Sequence, residues 1–111
     1  MSVNEKIEQA IGELFSGNVW PLKCPHDSAP DIYAIYNPEI EEPGYYADDA
    51  DEDWAQHMQI HAFTKGNYIG MRKEARKKLR ENGFIITGIY TNYEKETGYN
   101  HSCIECYTEE E

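Results

Sequence analysis

The sequence predicts an α+β domain of two layers, an antiparallel sheet of about four strands with two helices on one face, in the order α-β-β-α-β-β. Three observations predict it. Apolar residues recur at helical spacing near the start of the chain and again over residues 67–82. Between and after these stretches lie segments that alternate apolar and polar residues or run rich in Ile, Thr and Tyr. Glycine, proline and asparagine punctuate the gaps. At 111 residues the chain reads as a single domain, 1–111, with a core thin enough that association between copies would help it.

The first helix is expected over residues 3–16. Val3, Ile7, Ile11, Leu14 and Phe15 share a face, Ser2 caps the start, and Gly17-Asn18 supplies a stop. Glu5 and Glu8 lie near the positive end of its dipole. Residues 18–30 hold three prolines and no period, which predicts a loop anchored by Val19-Trp20-Pro21. Asp31 to Asn37 alternates Ile32, Ala34 and Tyr36 against Tyr33 and Ile35, a strand pattern. Residues 38–53 carry eight acidic side chains, two prolines and one glycine, so they predict an acidic, flexible loop within the domain. Trp54 to Phe63 reads as the second strand, with Trp54, Met58, Ile60 and Ala62 on one face and His57, Gln59 and His61 on the other. The second helix is expected over 67–82, capped by Asn67, with an apolar stripe of Tyr68, Met71, Ala75 and Leu79 and Gly83 past its end. Phe84 to Asn92 and Asn100 to Thr108 are the last two strands, joined through a turn at Thr97-Gly98, and Glu109 to Glu111 is a charged tail. The two strand pairs can each form a hairpin.

Composition excludes several function classes. The net charge is −11, so most of the surface repels nucleic acid and no specific nucleic-acid binding is expected. No apolar run approaches ~18 residues and no charged leader precedes an apolar stretch, which predicts neither a membrane span nor a secretion signal. The three cysteines, Cys24, Cys103 and Cys106, are then expected to be free thiols in the cytoplasm. Nine tyrosines suit a half-exposed sheet face or an interface.

No constellation of residues argues for catalysis, so the chain is read as a structural or assembly component rather than an enzyme. Cys103-Ile104-Glu105-Cys106 has the spacing of a redox or zinc motif, but residues three apart on a strand point to opposite faces. A composite zinc set would take Cys24, His26, Cys103 and Cys106, with His57, His61 or His101 as further candidates. His57 and His61 lie about 13 Å apart along their strand at ~3.3 Å per residue, too far to share one metal. Asp48, Asp49, Asp51 and Asp53 lack the register of a calcium loop. The nucleophile-elbow, phosphate-loop and dinucleotide glycine patterns are missing.

Charge segregation is the most informative feature. Six of the ten basic residues, Arg72, Lys73, Arg76, Lys77, Lys78 and Arg80, fall on the second helix, and eight of the twenty-one acids fall in 38–53. One consequence would be a head-to-tail contact in which Arg72, Arg76, Lys77 and Arg80 of one copy meet Asp48, Asp49, Asp51 and Asp53 of the next. A solvated helix face and pairing of the two segments within one chain are alternatives, and a nucleic-acid face on the helix is a third, disfavoured by the overall charge and by the lack of an aromatic platform.

The order of several degenerate pieces resembles the phage tail-terminator and tail-completion (head–tail joining) proteins. The pieces are the opening helix Val3 to Phe15, Asn18-Val19-Trp20-Pro21, the approach Ala29-Pro30-Asp31-Ile32-Tyr33-Ala34-Ile35-Tyr36, then Gln59-Ile60-His61-Ala62-Phe63, Leu79-Arg80-Glu81-Asn82-Gly83-Phe84, and Tyr93 to His101 leading into the last strand. The resemblance implies a homo-oligomeric ring, hexameric in form, at the end of the tail tube, meeting other tail or connector proteins. It implies a protein made in the host cytoplasm and carried in the virion tail, with no enzyme activity and no cofactor. The acidic stretch is longer and more charged than that family leads one to expect. The competing reading is a small acidic bacterial binding or immunity-type module that docks a basic partner protein through residues 38–53.

Overall fold

The computed structural model describes residues 2–39 and 55–109. The expected acidic loop beyond Glu39, together with Trp54, lies outside the described residues, as do Glu110 and Glu111. The elements are α1 (Val3–Ile11), β1 (Val19–Pro21), β2 (Ile32–Pro38), β3 (Ala55–Thr64), α2 (Tyr68–Glu81), β4 (Ile85–Glu94) and β5 (Tyr99–Glu109). The strands form one sheet in the order β1-β2-β3-β5-β4.

Two expectations are corrected. The sheet has five strands, because Val19–Pro21 pairs in parallel with β2, matching Val19 to Ala34 and Pro21 to Tyr36. Three residues are too few to show a period, so the strand read as a loop. The first helix stops at Ile11 rather than running to residue 16. Hydrogen-bonded turns follow it, with Ser16 and Gly17 at positive φ (56° and 81°), and these turns carry Phe15 into the core.

The other local signals act as expected. Ser2 Oγ accepts from the Glu5 amide at 3.2 Å while Glu5 Oε1 accepts from the Ser2 amide at 3.3 Å, a reciprocal cap. Asn67 Oδ1 accepts from the amides of Ile69 and Gly70 at the start of α2. Gly83, at φ 90°, follows its end, in a conformation that costs a side-chain-bearing residue. The two hairpins form, β2 with β3 and β4 with β5. In addition, β5 pairs with β3 along its whole length, so β3-α2-β4 is a crossover whose two parallel strands are separated by β5.

Both helices lie on one face of the sheet, over three cross-strand rows. Tyr36, Ile60, Ile104 and Ile89 form the middle row. On one side of it Pro38, Met58, Cys106 and Ile86 are in register, and on the other Ala34, Ala62, Ser102 and Thr91 form a row of small residues. Ile7, Ala10 and Ile11 of α1 and Met71, Ala75 and Leu79 of α2 close the core from above. The alternation of the strands therefore sends one residue set under the helices and the other to the opposite face.

Tyr36 ties the two layers together. Its ring is buried in the middle row and its hydroxyl donates to the Glu8 carboxylate of α1. Burial first, and then that bond, push the phenol's pKa up. Tyr36→Phe is expected to cost about 1.5–3 kcal/mol, the range for losing one hydrogen bond to a charged acceptor, read as a lower urea midpoint at constant slope. An unchanged midpoint would mean that the bond adds nothing.

Candidate interaction surface

The cationic surface is built by the spacing of α2. Met71, Ala75 and Leu79 face the core, and each is followed by an arginine, so Arg72, Arg76 and Arg80 form a parallel stripe one residue around the helix. The stripe runs along β4. Arg72 Nη1 donates to Thr91 Oγ1 at 3.3 Å, and its guanidinium lies over the Tyr68 ring at 5.9 Å. Arg76 and Arg80 border an open groove whose floor is Phe84, Ile86, Gly88 and Ile89. Lys77 lies further round, with Lys73 and Glu74, and is exposed. Among the described residues no ion pair reaches Arg76, Lys77 or Arg80. Their expected counterparts, Asp48, Asp49, Asp51 and Asp53, lie outside the described residues.

The second surface is the sheet face away from the helices. Here the tyrosine-rich composition resolves into a packed aromatic row. Tyr33 stacks on Phe63 at 4.7 Å, Phe63 stacks on His101 at 4.3 Å, and Tyr99 meets Tyr33 edge-on at 5.5 Å. Trp20 of β1 extends the row and packs edge-on against His26 at 5.3 Å. The Tyr99 hydroxyl donates to the Pro30 carbonyl at 2.6 Å, which pins the β1–β2 connection to β5. Along the β4 edge Ile85 and Tyr90 on this face and Tyr93 on the helix face are 53%, 57% and 61% exposed, an apolar fringe on both sides of the edge strand.

A polar line crosses the same face. His101 Nδ1 lies 3.3 Å from Glu94 Oε2, and its Nε2 lies 2.9 Å from His61 Nδ1. In a neutral His101 ring whose Nδ1–H donates to Glu94, Nε2 is an acceptor and His61 donates to it. Each histidine is visible in the sequence, but their meeting is not. It depends on the register that sets His61 opposite Cys103 and Phe63 opposite His101, which makes the two histidines diagonal neighbours. Burial, and then the neighbouring His101, hold the His61 pKa below its usual value. The unfolded chain therefore binds a proton there more readily than the folded one. Stability is expected to be highest above pH ~6.5 and to fall as the pH drops below that value. Urea midpoints measured from pH 7.5 down to 5.5 check this, and His61→Gln should flatten that part of the profile.

The four zinc candidates are not brought together. Cys106 lies in the core under the helices, Cys103 is on the opposite sheet face beside Tyr90, and Cys24 and His26 belong to the β1–β2 connection. Burial raises the Cys103 thiol pKa and pushes that of Cys106 up to about 12, so both are protonated thiols at neutral pH. Native protein is expected to present one thiol, Cys24, to an aromatic disulfide reagent, and three after denaturation; fast labelling of Cys103 or Cys106 in native protein would contradict this burial.

No protein-family model matches the chain, and no curated protein matches it. A solved structure does. The chain shares its fold with a virion protein. The match is to a chain of the structure described as the virion of native gene transfer agent (GTA) particle, with a TM-score of 0.68 at 8% identity, covering 98% of this chain and 94% of that one. The fold is thus shared over almost the whole of both chains, while the sequences differ. No helix among the described residues is long and apolar enough to cross a membrane.

Proposed function

We propose that this chain is a virion structural protein of the tail-terminator or tail-completion kind, which assembles into a ring by lateral contacts and joins tail to head. The observation that carries this reading is the near-complete fold match to a chain of a virion particle. The surfaces support it. A cationic stripe without ion-pair partners among the described residues and a fringe of exposed Ile85, Tyr90 and Tyr93 leave the β4 side of the molecule suited to a protein neighbour. The chain's net charge of −11 would keep DNA from adhering to a ring through which it passes. In this reading the protein's work is mechanical, with no enzymatic step and no cofactor.

The test is assembly. Purified protein at high concentration and low salt should give closed rings in negative-stain electron microscopy, with a matching mass by light scattering, or should decorate the ends of purified tail tubes. Protein that stays monomeric in solution and also leaves tube ends bare would overturn the proposal. Tight capture of a basic protein by that same monomer would favour the immunity-type reading instead.

A further inference from the structure

We propose that β4 is a docking edge for an extended acidic segment, and that its occupant is residues 49–53 of a second copy. This deepens the lateral-contact reading above and rests on it to the extent that copies must meet.

The sheet has two edges, and they differ. β1 is three residues long and ends in Pro21, so it offers little backbone to a newcomer. β4 is ten residues long and, among the described residues, pairs only with β5. From Ile85 to Tyr93 it contains no proline and no charged side chain, the devices that usually protect an edge. One irregularity, between Ile86 and Gly88, bends its first turn; Ile89 to Glu94 is in unbroken register. The outer row of amides and carbonyls there is a template for one more strand.

The arginine stripe states what that strand must carry. Arg72, Arg76 and Arg80 advance by about 6 Å per step at 1.5 Å per helical residue. Same-face residues of a strand advance by about 6.6 Å. Carboxylates at alternate positions of an added strand would thus keep pace with the three guanidinium groups, which sit on the helix side of β4. Asp49, Asp51 and Asp53 alternate in this way in the chain itself. Backbone bonds to β4 would supply much of the affinity, and the charge match would set register and exclude other segments.

The segment must come from another copy. Ala55 begins β3, which lies two strands in from β4. A strand added outside β4 is three spacings from β3, about 14 Å at ~4.8 Å each. Asp53 is two residues from Ala55 and can reach only about 7 Å. Its own chain therefore cannot place Asp53 on that edge, whereas a neighbour can. The contact is head-to-tail, with one copy's edge taking the next copy's segment, and contacts of this type close into rings or grow into filaments.

Two full-length variants test the proposal by complementation. Arg76→Glu/Arg80→Glu spoils the edge and leaves the segment intact. Asp49→Asn/Asp51→Asn/Asp53→Asn spoils the segment and leaves the edge. Each alone should be monomeric by light scattering where wild type associates, and an equimolar mixture should stop at 1:1 dimers. In parallel, a labelled peptide of residues 47–55 is titrated into the Asn variant and followed by anisotropy. It should bind in low salt and weaken at least tenfold against a protein that also carries Arg76→Glu/Arg80→Glu. Methylating its amide nitrogens at residues 50 and 51 should weaken it at least tenfold too, since one of those amides faces β4 in either orientation. Equal binding of the methylated peptide would overturn strand addition, and no peptide binding would overturn the docking edge altogether. Rings that persist in both variants would overturn the edge while leaving the virion role standing. Peptide binding as described without rings or tube decoration would do the reverse.

Discussion

Ile104→Ala is expected to lower the unfolding free energy by about 3–5 kcal/mol, in the upper part of the range for truncating a fully buried aliphatic side chain. Ile104 has no solvent exposure and sits on β5, which has a strand on either side. It is in register with Ile60 on one side and Ile89 on the other, in the row that the helices cover. Neither neighbour can swing into the vacated space, because each is held by its own ladder and by the helices above. The cavity would therefore stay open, and its cost adds to the lost transfer energy. Against a total of roughly 5–15 kcal/mol for a domain, that is a large fraction. The melting temperature should fall by on the order of 10–20 °C. Calorimetry and urea denaturation read this directly. A loss below about 1 kcal/mol would mean that the middle row is not the centre of the core.

Arg76→Glu/Arg80→Glu is expected to weaken self-association at least 100-fold while leaving folding stability almost untouched. The two side chains are exposed, and substitutions at such sites change stability by about 0.5 kcal/mol or less each. Their effect on a neighbour is larger, because reversal turns attraction for an acidic segment into like-charge repulsion, which costs several kcal/mol across an interface. Wild-type association should also weaken with added salt, and the variant should lose that dependence. Sedimentation velocity at two salt concentrations would show both effects. A variant that associates as tightly as wild type would remove the arginine stripe from the interface.

Much of this architecture can be read from local patterns. The alternation of Ile32, Ala34 and Tyr36 against Tyr33 and Ile35 marks β2 because one sheet face is covered by helices and the other is not. Asn67 and Gly83 bracket α2 because each satisfies backbone groups that the helix leaves over. The arginine stripe is visible as a four-residue repeat. What could not be read were relations between distant segments. Val19–Pro21 becomes a strand only because β2 lies beside it, with the Asn18 carbonyl taking the Ala34 amide at 2.9 Å and the Tyr36 carbonyl taking the Leu22 amide at 2.9 Å. The helical spacing of Leu14 and Phe15 continues past Ile11 because turns can also carry apolar residues into a core. The His61–His101–Glu94 line needs the β3–β5 register, which no local signal states.

That placement of β5 has a consequence for how the molecule is made. β3, α2 and β4 leave the ribosome before β5 does, and until β5 arrives the two strands that will flank it present bare edges to solvent. Nascent chains would spend that interval as sticky half-products, exposed to chaperones and to one another. Premature termination within residues 99–109 would remove the keystone of the sheet rather than trim its rim, so such fragments should be recovered as aggregates or degraded rather than as a smaller folded protein.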